Sequence, residues 1–245
     1  MYFYILLDYP SLIMRTTNAK DIHDVDRSKR TFRIFDQFPE LRVGIFGKDS
    51  LCTSDEECAA QLGFKKVSKL NQVHGNIIHI AEKINGIPDG DGLITGQTRV
   101  ALSVRWADCQ AFAIYAPKQK VIGALHAGWK GMAAHAITKM YEALDAEFNV
   151  KPEETFIGMA PSLCKACADF SDPLHELPPH LHPFIDGKNV DLQAAADHEL
   201  DSLGVPKNQR ERHPACTRCG EGFWSWRRDK TADARNYLIA GIEER

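Results

Sequence analysis

The chain has 245 residues, 44% of them apolar and 26% charged, with a formal net charge of −3. That balance fits one large folded domain and gives no electrostatic footprint for nucleic acid or a membrane surface. The apolar run Tyr2–Leu7 is too short for a secretory signal, and no stretch reaches the ~20 apolar residues of a membrane span, so a cytoplasmic protein is expected.

Residues 1–40 are polar and weakly periodic and read as a loosely ordered N-terminal extension. The folded domain is expected over 41–245, opening with a strand at 41–47 (LRVGIFG). Residues 54–63 predict a short helix, with Ser54 as N-cap, Glu57 three residues on, and Gly63 as the stop. Residues 76–81 are strand-like, and 88–92 (PDGDG) have turn composition. Three apolar runs at 100–106, 110–116 and 120–127 read as strands, the last two joined as a hairpin. Apolar residues at 132, 136, 137, 140, 141, 144 and 148 follow helical spacing and predict one long helix. A strand is expected at 155–159, a loop at 171–188 and a helix at 191–204 closed by Gly204. Residues 222–229 read as strand-like, and 236–242 as the last strand. Strands and helices mix without regular alternation, which predicts a mixed-sheet α/β or α+β fold rather than a doubly wound one.

Three short segments each place a metal-capable side chain at the edge of an apolar run. They are NQVHG (71–75) with His74, WADCQ (106–110) with Cys109, and ALHAGWKG (124–131) with His126. The ligand types sit 35 and 17 residues apart, so only the fold can gather them. Two imidazoles and one thiolate would leave zinc a fourth position for water or substrate, and zinc lowers the pKa of a bound water towards ~7. Each residue alone also fits a structural role, as a hydrogen-bonded histidine or a small buried thiol.

Seven cysteines in a reducing compartment read as thiols or metal ligands rather than disulfides. Cys164-x2-Cys167 and Cys216-x2-Cys219 have the paired spacing of a four-thiolate site, a possible second metal. Unrelated thiols are the other reading.

The segments NQVHG, DGLIT, ADC, HAGWKG and FWSWRRD resemble the YfiH family. Its members have been called multicopper polyphenol oxidoreductases (laccases), peptidoglycan editing factors and purine nucleoside phosphorylases. The resemblance covers roughly residues 41–242. It implies a single-domain mixed β-sandwich flanked by helices, with a metal held by His74, Cys109 and His126. It further implies phosphorolysis of adenosine, inosine and methylthioadenosine to base and the sugar 1-phosphate, together with adenosine deamination. Zinc is the expected metal, with copper possible. The partners are then purine nucleosides and phosphate, with no nucleic acid or membrane, on a monomer or small homo-oligomer.

Alongside this resemblance, Lys48, Lys130, Arg227 and Arg228 are the cations expected to meet phosphate. Lys48 stands where the family usually carries Arg. Asp91 is expected to orient a ligand or handle a proton. Asp108, next to Cys109, would face away from the site in an extended segment. Three other readings stay open: copper-dependent phenol oxidation, a hydrolase acting on a cell-wall precursor amide with Cys109 as nucleophile and His126 as base, and a metal-stabilised binding module.

Overall fold

The hairpin expected at 110–127 lies at the centre of the molecule. The computed structural model describes residues 32–231 and 233–244. In it β6 (Gln110–Ala116) and β7 (Val121–Ala127) pair antiparallel, with Gln110 opposite Ala127 and Ala111 opposite His126. They are the middle strands of a six-stranded sheet, ordered β11-β8-β6-β7-β4-β3. Its other members are β3 (Ile78–Ile80), β4 (Gly92–Thr95), β8 (Phe156–Met159) and β11 (Arg210–Arg212). A second sheet of four strands runs β1-β12-β5-β2, built from β1 (Leu41–Phe46), β2 (Lys66–Ser68), β5 (Val100–Trp106) and β12 (Asn236–Ile242). Parallel and antiparallel pairs occur in both sheets, as the absence of regular βαβ alternation predicts.

Both central strands are buried at every position because both faces are covered. Alternate residues Phe112, Ile114 and Leu125 pack under the helices α3 (Ala136–Phe148) and α5 (Leu192–Leu203), against Ile137, Met140, Leu144, Ala196 and Leu200. Their neighbours Ala111, Ala113, Tyr115, Ile122 and Ala124 face the four-stranded sheet, against Leu102, Val104, Leu238 and Ala240. The far side of that sheet is closed by α1 (Asp55–Gln61) through Cys58 and Ala59, and by Leu62 just after it. The layers are therefore helix, sheet, sheet, helix. At α1 the Ser54 hydroxyl accepts from the Glu57 amide, Glu57 accepts in return from the Thr53 amide at 2.7 Å, and Gly63 ends the element at φ +87°.

Several sequence expectations change. The long helix after the hairpin is two helices, α2 (Trp129–Ala133) and α3, because His135 takes a left-handed φ of 54° between them. Residues 171–188 contain a helical turn, α4 (Pro173–Glu176), a 3-10 segment at Pro179–Phe184 and the short strand β9 (Ile185–Asp186), which pairs with β10 (Asn189–Val190). Residues 222–229 are not a strand but lead into α6 (Trp226–Asp229). There the Ser225 hydroxyl accepts from the Arg228 amide and Asp229 accepts from the Ser225 amide at 3.0 Å, a helix start that outweighs the aromatic strand propensity.

The N-terminal boundary moves too. Phe32 and Phe35 are 1% and 2% exposed and pack with Leu41 and Val43, so residues 32–40 belong to the folded body rather than to an extension. The remainder of that extension, with the Tyr2–Leu7 run, lies outside the described residues. Cys52 and Cys58 form a disulfide with a Cα separation of 5.3 Å, against the expectation that no cysteine pairs so. No helix among the described residues is long and apolar enough to cross a membrane.

Candidate active site

The hairpin register sets the site. His126 is the penultimate residue of β7, and Cys109 sits in the turn that carries the chain from β5 in one sheet to β6 in the other. His74 lies in the loop before β3. One ligand atom from each of the three falls within 4.8 Å of the others. The two imidazoles meet edge to face, with centroids 4.9 Å apart. His126 is buried, Cys109 half-buried and His74 exposed, so the cluster opens on the His74 side.

Asp91, fully buried just before β4, holds the two histidines. Its carboxylate accepts from His126 Nδ1 at 2.9 Å, from the His74 amide at 3.0 Å and from the Gly75 amide at 2.6 Å. Its own carbonyl accepts from the His126 amide at 2.8 Å. His74 has a φ of 62°, uncommon for a residue with a side chain, and the Asp91 contact fixes its amide there. Burial alone would raise the Asp91 pKa, but the bonds from His126 and Gly75 outweigh it and hold the group ionised below the ordinary carboxylate range. With Nδ1 engaged, His126 presents Nε2 to the cluster.

Cys109 and His126 perturb each other. Burial pushes the Cys109 thiol up, yet the His126 charge and hydrogen bonds from both imidazoles bring its pKa below the ordinary range. Burial pushes His126 down, while the Cys109 and Asp91 charges and their hydrogen bonds raise it. The glycines of HAGWKG are matters of space. A Cβ on Gly128 would stand 2.8 Å from Cys109 Sγ and 3.3 Å from His74 Cδ2, and one on Gly131 would stand 3.1 Å from the Gly75 carbonyl.

The cluster forms part of the wall of a cavity of about 810 Å³, within the size range of small-molecule sites. Trp129, Phe170 and Trp226 supply aromatic surface to it. Trp106 also borders it, but is core: it is 1% exposed and its indole N–H donates to the Pro161 carbonyl at 2.7 Å.

Of the four cations expected to meet phosphate, only Arg227 lines the cavity, pairing with Asp169 at 2.6 Å. Lys48 instead pairs with Asp229 at 2.9 Å and lies over the Trp224 ring. Arg228 donates to the carbonyls of Thr217, Arg218, Gly220 and Phe223 and pairs with Asp229, so its fork is spent on loop backbone. Lys130 is exposed, over the Trp129 ring and outside the lining. The cavity's other cations are Arg105, Lys230 and Arg235. Arg105 had a legible signal, as the one charge in the strand VALSVRW. Asp108 departs from the extended geometry with φ 86° and faces the cavity. It accepts from the Thr217 hydroxyl and the Arg227 amide, both at 2.7 Å.

The two CxxC pairs also come together. All four sulfurs of Cys164, Cys167, Cys216 and Cys219 lie within 4.8 Å of one another, a second group able to hold a metal.

Comparison with known proteins agrees with this architecture. The purine nucleoside phosphorylase of Streptomyces coelicolor is 28% identical over 208 residues, 79% of this chain and 85% of that protein. A human purine nucleoside phosphorylase is 28% identical over 183 residues, 70% of this chain and 42% of that protein. The crystal structure of YlmD from Geobacillus stearothermophilus superposes with a TM-score of 0.72 at 24% identity, covering 84% of this chain and 93% of that one. YfiH from Bacillus licheniformis gives 0.73 at 21%, covering 85% and 94%, and both structures show the same mixed α/β fold. The profile of the multi-copper polyphenol oxidoreductase laccase family matches residues 48–242, and the chain belongs to that family.

Proposed function

We propose that the chain is a zinc-dependent purine nucleoside phosphorylase with adenosine deaminase activity. The observation that carries this reading is the meeting of His74, Cys109 and His126 in the wall of a cavity lined by cations and aromatic rings. The relatives named as purine nucleoside phosphorylases support it. The donor set fits zinc: two imidazoles and a thiol held towards its anionic form, with one histidine oriented by a buried carboxylate. Held by His74, Cys109 and His126, the metal would supply a Lewis acid to the cavity.

The chain's own groups would do the rest. Arg105, Arg227, Lys230 and Arg235 bring positive charge to a phosphate, and Arg227 would exchange Asp169 for it. Trp129, Phe170 and Trp226 offer flat apolar faces to a purine. Holding both reactants together lowers the entropic part of the barrier. In phosphorolysis a phosphate oxygen bonds to the sugar C1′ as the C1′–N9 bond breaks. The bonding pair leaves with the base, which takes up a proton. Adenosine, inosine and methylthioadenosine are the substrates assigned. Deamination replaces the adenine 6-amino group with oxygen from water and releases ammonia.

The test is product analysis of inosine and adenosine with and without phosphate, beside His126→Ala. Phosphate-dependent release of base by the wild type, lost in the variant, is the expected result. No base and no inosine from a folded, zinc-loaded sample would overturn the reading.

One observation favours a second reading. Cys109, His126 and Asp91 follow one another as a nucleophile, base and orienting acid do, which suits a hydrolase acting on a cell-wall precursor amide. Activity retained after chelation would select it. Oxygen consumption with a phenol and copper would instead select the oxidase.

A further inference from the structure

We infer that Cys164, Cys167, Cys216 and Cys219 hold a second, structural zinc ion that clamps the rim of the cavity. A tetrahedral zinc with four bonds of ~2.3 Å sets its sulfurs about 3.8 Å apart. Here Cys167 and Cys219 stand at 3.4 Å, Cys164 and Cys219 at 3.9 Å, and all four sulfurs lie within 4.8 Å. Both CxxC pairs are wound into tight turns, with the Cys167 amide donating to the Cys164 carbonyl at 2.9 Å and the Gly220 amide to the Cys216 carbonyl at 3.0 Å. The Cys164 amide also donates to Cys216 Sγ at 3.3 Å, a bond that stabilises a thiolate. Four protein sulfurs leave no open position, so the ion is structural rather than catalytic.

The clamp joins segments that are distant in sequence. Ser162 and Leu163, just before the first pair, line the cavity. Ser162 bridges to Cys216, and the Thr217 amide donates to the Ser162 carbonyl at 3.2 Å. Asp108, adjacent to Cys109, accepts from the Thr217 hydroxyl and through its carbonyl from the Leu163 amide at 3.1 Å. Both CxxC turns are thus fastened to the strand crossover that carries the other metal ligand.

The experiment counts zinc per chain in the purified full-length protein and in two double variants, without reference to nucleoside chemistry. About two equivalents are expected in the wild type, and about one in both His74→Ala/Cys109→Ala and Cys167→Ser/Cys219→Ser. If the second variant does not fold, the first still decides: retained zinc supports the clamp and its complete loss overturns it. Alkylation and mass measurement of the denatured, unreduced wild type adds an independent readout. Free thiols at all four positions are expected, and a Cys167–Cys219 disulfide would replace the metal clamp with a redox pair.

Discussion

The two sulfur-containing clusters are built in opposite ways. His74, Cys109 and His126 come from strand ends and loops 35 and 17 residues apart, and a buried carboxylate sets two of them in place. The four cysteines come from two local turns, and their inferred ion would supply much of the order there. The first cluster offers three ligand atoms and borders a cavity, whereas the second offers four. A rigid sheet can hold an incomplete coordination shell open, which a catalytic metal needs. Loops gain most from a complete one.

The largest expected effect separates the clusters. His126→Ala removes the buried member of the cluster and leaves Asp91 without its imidazole partner. Phosphorolysis should fall by more than the ~10–100-fold typical of outer groups around a metal, with one zinc lost and the cysteine-bound one kept. Asp91→Asn should itself cost ~10–100-fold in zinc affinity or activity. Asn keeps the volume but has only one acceptor oxygen. The carboxylate accepts from His126, His74 and Gly75, so the new amide would turn an N–H towards one of these donors. Zinc titration and steady-state rates check both variants. An Asp91→Asn protein with wild-type zinc affinity would show that the strands alone hold the ligands.

The sheet was legible where period and composition agree. The limits 100–106, 110–116 and 236–242 come directly from apolar runs, because strands covered on both faces can be apolar throughout. The Ser54 cap was legible for the same local reason. The failures have non-local or competing causes. His135 breaks a helix whose apolar spacing continues through the break, and spacing carries no record of a single left-handed residue. Aromatic residues in GFWSWRRD outweighed the Ser225 and Asp229 cap in the reading, but not in the chain. At the site, the motifs pointed to His74, Cys109 and His126, which the fold gathers, and to Asp91, which bonds two of them. The cation set was mostly missed, since which charges turn inwards depends on how segments distant in sequence close around the cavity.

Gly128→Ala probes how tightly the open cluster is fitted. A methyl group 2.8 Å from Cys109 Sγ must displace either the thiol or the start of α2. Stability should fall by ~1–3 kcal/mol, as for overpacked cores, with a parallel loss of zinc affinity. Loss of stability alone, with zinc binding intact, would place the strain in α2 rather than at the ligand. On the clamp side, Arg228→Ala should lower stability by about 2 kcal/mol through its charged bonds to loop carbonyls. That corresponds to a melting temperature lower by roughly 4–8 °C at this chain length, with turnover per folded molecule unchanged.

The smallest effect tests whether neighbourhood in sequence means neighbourhood in space. Lys130 stands in the HAGWKG motif, four residues after His126, yet it is exposed and outside the cavity lining. Arg227 is 101 positions beyond His126 and lines the same cavity. Lys130→Ala should therefore change stability by less than ~0.5 kcal/mol and leave the KM for phosphate alone. Arg227→Ala should raise that KM by roughly tenfold, the equivalent of ~1.4 kcal/mol for one charged contact to phosphate. Phosphate titrations of the two variants side by side decide the matter. The opposite ranking would mean that α2 turns its cation inwards once substrate is bound, and that the cavity's charge is set by the motif rather than by the loop at α6.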